Sequence, residues 1–153
     1  MDETYIKVKG EWKYLYRAVD KHGKTIDFLL TEHRDEQAAK AFLTKAIRRC
    51  GGVPEKITID GSAANEAAIK TYNEEQGTTI EIRKVKYLNN IVEQDHRAVK
   101  RVTRPMLGFK AFDAAQSTVT GIELMHMIKK KQMMVGVEDE GLTAAEKFYA
   151  LAA

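Results

Sequence analysis

The chain has 153 residues, 31% of them charged and 44% hydrophobic, which is enough for one domain with a real core and excludes a disordered polymer. No apolar run is long enough to span a bilayer, no charged-then-apolar leader precedes the first strand, and the lone cysteine, Cys50, excludes an internal disulfide; a cytoplasmic protein is expected. The net charge of +3 is uneven, with +7 between Arg83 and Lys131 and −4 elsewhere, which fits either a polyanion-binding face or a solvated helix surface.

Ile6 and Val8 alternate with Tyr5 and Lys7, which predicts a half-buried strand over Thr4–Lys9. Gly10-Glu11 turns into a second strand, Trp12–Val19, rich in β-forming aromatics. Trp12 itself reads as core or sheet surface before it reads as a base-stacking platform. Asp20-Lys21-His22-Gly23 forms a hairpin turn, and Thr25–Thr31 completes an antiparallel meander. The period then changes. Ala38, Ala39, Phe42, Leu43, Ala46 and Ile47 recur at helical spacing, with Asp35 as N-cap and Gly51-Gly52 at the end. Cys50, near that end, is expected to be a buried or half-buried packing residue rather than a nucleophile. Lys56–Asp60 is a short central strand, Gly61-Ser62 a turn, and 63–75 a helix stopped by Gly77. Thr78–Lys84 is the fifth strand. A helix follows over Val92–Arg104, capped by Asn89-Asn90 and stopped by Pro105. Leu107–Lys110 is a loop, Phe112–Lys131 a long helix capped by Asp113, and Ala144–Ala152 a short helix in the tail. The order βββαβαβαα is that of an α/β fold with a ribonuclease-H-like mixed five-stranded sheet and helices on both faces.

Three carboxylates stand at telling places in this order. Parity puts Asp2 on the strand face of Ile6 and Val8, Asp60 ends the fourth strand, and Glu93 opens a basic helix. Such groups can converge on divalent cations. Two-metal phosphoryl transfer needs little more from a protein than acidic ligands around the reacting phosphate. Arg97, Lys100 and Arg104 follow Glu93 at steps of four, three and four, on one helical face suited to gripping DNA backbone. His96, beside Glu93, is read either as a phosphate contact or as a packed histidine. The plainer readings stay open: Asp2 as a chain-end charge, Asp60 as a helix cap, Glu93 as a helix-dipole partner or an exposed pair with Arg97. No Walker-type glycine loop is present in the sequence, so ATP use is not expected.

The wording of the chain is more specific than its spacing. The start DETY, a strand ending in ID, the run VKYLNNIVEQDHRAVKR, then TRPMLGFKAFDAA and GIELMHMIKKKQ together resemble the DDE transposases of bacterial insertion sequences, of the insertion-sequence-six type. The resemblance runs to about Gln132. It implies a catalytic domain over 1–132, followed by a tail over 133–153, with Asp2, Asp60 and Glu93 as the metal-binding triad. Lys100 matches the family's basic residue after the last carboxylate. The resemblance further implies DNA cleavage and strand transfer at terminal inverted repeats, dependent on two Mg²⁺ ions for which Mn²⁺ can substitute. The DNA partners are the repeats and a target, engaged by a homo-oligomer on the nucleoid, with no membrane. Three departures are visible: only Met1 precedes Asp2, whereas the family's first aspartate lies inside a strand; no helix-turn-helix region precedes it; and Gly61 replaces the family's usual lysine after the second aspartate, with Glu93 following Asp60 by 33 positions, a slightly shorter stretch than usual. The expectation is a truncated copy or a reading frame that begins late. Three rivals follow: an inactive remnant that folds and binds DNA, a ribonuclease-H-like nuclease that hydrolyses without joining, and an oligomerisation module.

Overall fold

A computed structural model describes residues 1–85, 90–133 and 141–152. Three strands come first, β1 (Asp2–Val8), β2 (Glu11–Val19) and β3 (Thr25–Thr31), followed by α1 (Glu36–Cys50). Next come β4 (Lys56–Ile59), α2 (Ala63–Gln76), β5 (Glu81–Lys84) and α3 (Asn90–Thr103). A 3-10 turn (Arg104–Met106), α4 (Phe112–Lys129) and α5 (Ala144–Ala152) complete the described chain. This is an α/β fold with five α-helices and both antiparallel and parallel strand pairing.

Among the described residues, the strands form two hydrogen-bonded sheets. The meander gives an antiparallel sheet in the order β1-β2-β3, with Tyr5 opposite Tyr14 and Leu15 opposite Leu30. β4 and β5 pair in parallel, with Ile57 opposite Ile82, and α2 supplies the crossover that parallel neighbours require. The Met1 amine donates to the Thr58 carbonyl at 2.8 Å and so brings the start of β1 against β4.

Alternation along the strands sorts the side chains into two cores. Tyr16 and Ala18 face Phe42 and Leu43 of α1, together with Ile59, Ala68 and Ile69. The opposite face, with Ile6, Val8, Leu15 and Leu30, is covered by Val99 of α3 and by Ala115 and Val119 of α4. Helices therefore cover the antiparallel sheet from both sides.

Asp35 caps α1 by accepting from the Ala38 amide at 2.8 Å. Asp35→Ala is expected to lower stability by about 1 kcal/mol in a urea titration, because one helix amide loses its acceptor. An unchanged midpoint would show that water replaces the cap.

Four expectations need adjustment. Pro105 does not stop the chain's turning: its fixed φ suits the 3-10 turn that follows α3 directly. Ala111, extended and without a side-chain bond, occupies the N-cap of α4, while Asp113 lies in the first turn and serves the helix dipole instead. Cys50 is exposed, because it stands at the end of α1 beyond the last residues that the helix buries, Ala46 and Ile47. Asn89, expected to cap α3, lies outside the described residues, as does the tail segment 134–140. Among the described residues, no helix is long and apolar enough to cross a membrane.

Candidate metal centre and nucleic-acid face

The start of β1 and the end of β4 meet, and their acidic residues meet with them. Ligand oxygens of Asp2, Glu3 and Asp60 all lie within 4.8 Å of one another. Asp2 is nearly buried, and one of its oxygens accepts from the Glu3 amide at 2.9 Å. Burial first, and then the neighbouring Asp60 charge, raise the Asp2 carboxyl to about 7. Asp60 is half-buried and accepts from the Ser62 amide at 3.2 Å, closing a tight turn through Gly61. Gly61 has φ +94°, a conformation that residues with side chains rarely adopt, so glycine suits this turn.

Glu3 was not anticipated. Successive strand residues point to opposite faces, so a neighbour of Asp2 reads as belonging elsewhere. Its side chain is buried and fully occupied: one oxygen takes the Arg34 guanidinium, at 2.7 Å from Nε and 2.5 Å from Nη2, and the other takes the Asn65 amide at 2.7 Å. Asp2 and Asp60 are thus the members with lone pairs to spare. Two crowded carboxylates, one of them with its pKa raised chiefly by burial and then by the charge of the other, suit a hard divalent cation that prefers oxygen and relieves the repulsion.

Helix α3 approaches the pair with a divided surface. Val92, Asp95, His96 and Val99 are buried, whereas Glu93 and Arg97 are exposed. His96 lies against Asp2, Nδ1 to Oδ2 at 3.6 Å. Burial and the Arg17 and Lys100 charges lower its pKa to about 3, so the ring is neutral near pH 7. Its Nε2 is buried without a hydrogen-bond partner. Glu93 precedes His96 by three residues and so stands about 4.5 Å further along the helix axis on the adjoining face. It does not belong to the acidic cluster; its carboxylate accepts from Arg97 at 2.9 Å, and its side chain is 55% exposed. Arg97 and Arg104 are exposed and Lys100 is half-buried. The structure therefore brings Asp2, Asp60 and His96 together, and leaves Glu93, Arg97 and Arg104 on the open side.

A second charged cluster holds this helix. The Arg17 guanidinium is fully buried and pairs with Asp95 at 3.0 Å and with Glu123 of α4. Lys130 reaches the same Asp95 at 2.5 Å and donates to the Gly23 carbonyl at 2.7 Å. Arg17 alternates with buried Leu15, and Glu123 follows buried Val119 by one turn, so each interrupts an apolar stripe. A charge at such a position needs a partner, and that was the available signal.

The model of a DDE domain, of the transposase type named for IS240, matches residues 1–132. This chain belongs to the DDE transposases of bacterial insertion sequences. It is 39% identical over 136 residues to the transposase for insertion sequence-like element IS431mec of Staphylococcus aureus. The same figures hold for the transposase of insertion sequence element IS257 in transposon Tn4003, also from Staphylococcus aureus. Each alignment covers 86% of this chain and 57% of the relative, so the chain spans little more than half the length of these curated transposases. An uncharacterized protein of Yersinia pseudotuberculosis, pYV0051, is 44% identical over 48 residues, which are 31% of this chain and 45% of that protein. No solved structure matches the chain. The carboxylate pair offers oxygen donors of the kind a divalent cation takes, and α3 turns Arg97 and Arg104 to the open side.

Proposed function

We propose that the chain is the catalytic domain of an insertion-sequence transposase, cleaving and joining DNA at terminal inverted repeats. The observation that carries this reading is the convergence of Asp2 and Asp60, far apart in sequence, at one partly buried place beside α3. The sheets are read as the two halves of one five-stranded ribonuclease-H-like sheet, joined where Met1 meets Thr58. The catalytic domain is assigned to 1–132 and the remainder to a tail.

Asp2, Asp60 and Glu93 are assigned as the ligands of two Mg²⁺ ions, with Mn²⁺ able to replace them. When bound, such ions activate an attacking water or 3′-hydroxyl and stabilise the leaving oxygen. The residues themselves hold and orient. Asp60 is fixed by its turn, Asp2 by the Glu3 amide, and the neutral His96 fills the space beneath Asp2 without adding charge. Glu93 would serve as the third ligand once released from Arg97, whose guanidinium would then be available to a DNA phosphate. Lys100 and Arg104 extend that phosphate-binding face. DNA ends and target DNA are the substrates, a homo-oligomer in the cytoplasm is the acting form, and ATP is not used.

The test supplies the protein and Mg²⁺ or Mn²⁺ with pre-cleaved inverted-repeat ends and a target duplex. Joined product is expected; hydrolysis without joining assigns a nuclease instead. The pairing of Glu93 with Arg97 favours a second reading, a protein that binds DNA without cutting it, and that reading predicts retention on a gel with no product under either metal. Arg97→Ala is expected to weaken DNA binding across all sequences and to reduce the slope of log affinity against log salt by about one. Its melting temperature stays nearly unchanged, since an exposed helical pair contributes only about 0.3–0.5 kcal/mol. An unaltered salt slope removes Arg97 from the DNA face.

A further inference from the structure

The face of β1 and β2 that carries Glu3 opposite Tyr16 continues beyond the cover of α1. Tyr16 is shut in against Phe42, with ring centroids 5.7 Å apart. The next two facing pairs, Tyr5 with Tyr14 and Lys7 with Trp12, lie roughly 7 and 14 Å further along the strand. Here the large rings are open: Trp12 is 60% exposed and Tyr5 43%. Tyr5 meets Trp12 at 6.4 Å and Tyr14 at 5.5 Å, both in T-shaped contacts that set the edge of one ring against the face of the other. The Lys7 ammonium stands 5.8 Å from the centre of the Trp12 ring, and Lys9 is exposed in the turn that follows. Of the acids near this face, Glu11 pairs with Lys13 at 3.0 Å and Glu3 with Arg34, while Glu32 is exposed near Lys13. Exposed aromatic rings, one of them under the Lys7 ammonium, complement a polyanion that carries flat, stackable groups able to displace that ammonium toward their phosphates.

We propose that Tyr5 and Trp12, backed by the half-buried Tyr14, form a stacking platform for unpaired bases of single-stranded DNA, with Lys7 and Lys9 holding its phosphates. This rests on the reading of the chain as a DNA-processing domain and deepens it. The platform continues the face of Glu3, whose carboxylate joins Asp2 and Asp60, so a strand leaving the acidic centre along this sheet crosses it. Stacking on aromatic rings is tolerant of sequence, because every base presents a π-face.

Trp12 is the sole tryptophan of the chain, so its emission reports on this surface alone. Titration with a single-stranded oligonucleotide is expected to quench that emission and to protect it from iodide. An abasic oligonucleotide of equal length and charge binds, as followed by anisotropy, with little quenching. Trp12→Leu is expected to weaken single-strand binding about 5- to 100-fold while leaving duplex binding in place. Binding of the oligonucleotide with unchanged Trp12 emission, or equal quenching by the abasic strand, overturns the platform and leaves the DNA-processing reading intact. Failure to bind any DNA overturns both. Emission that responds to protein concentration and not to DNA assigns the face to a second copy of the chain and also overturns the proposal. Should the Leu variant fail to fold, the emission of the unaltered chain still decides.

Discussion

Arg17→Met is expected to destabilise the protein by about 3–5 kcal/mol. The guanidinium is wholly buried between Asp95 and Glu123, on three different elements: β2, α3 and α4. Methionine fills much of the volume but leaves the carboxylates behind. Asp95 keeps Lys130, while Glu123, fully buried and with one oxygen already unpartnered, is left as an uncompensated charge. Combining Arg17→Met with Glu123→Leu removes that charge and recovers most of the loss, since replacing both partners by apolar groups is often close to neutral. Chemical denaturation of the two variants and the parent provides the measurement. A loss below about 1 kcal/mol for Arg17→Met would mean that solvent reaches the cluster, against the burial described.

Asp60→Asn is expected to abolish metal-dependent chemistry while preserving the fold. Asparagine keeps an oxygen for the Ser62 amide, so the turn through Gly61 stands, but the anionic donor facing Asp2 is gone. Strand transfer should fall by at least about 10²–10³-fold, the scale seen when one preorganised electrostatic contact to a developing charge is removed. A second readout is independent of turnover. A cation that binds the folded parent at a concentration near 100 times its dissociation constant adds about 2.7 kcal/mol of stability, visible as a rise in melting temperature with Mn²⁺. The Asn variant should show little of that rise. A variant that retains both the joining activity and the Mn²⁺ effect removes Asp60 from the metal-binding set.

The elements of the fold were legible because their periods are clean. Alternation marks β1, and the stripe from Ala39 to Ile47 marks α1 with its Asp35 cap. The meeting of Asp2 with Asp60 was legible from strand parity and from the turn after β4. What escaped was charge inside the protein. Arg17, Asp95 and Glu123 were not singled out: the interruption of an apolar stripe signals that each needs a partner, but which charges meet depends on a mutual placement that no single segment contains. Glu3 escaped for a related reason, since its partners Arg34 and Asn65 come from other parts of the chain. His96 read equally as companion to Glu93 or as packing, and the buried stripe of Val92, Asp95 and Val99 draws it inward.

Asp95 and His96 are neighbours on α3, yet one is tied to Arg17 in the middle of the sheet and the other lies against Asp2 at its edge. The helix turn that props the acidic pair is thus also the turn bolted to the interior. Amide hydrogen exchange should therefore find residues 95–99 among the slowest to open, in the same cooperative unit as β2. A centre mounted on the last part of the molecule to open offers a stiff template, and the strain of forming a reactive complex falls on the nucleic acid, whose bending and unstacking become the main route for adjusting fit.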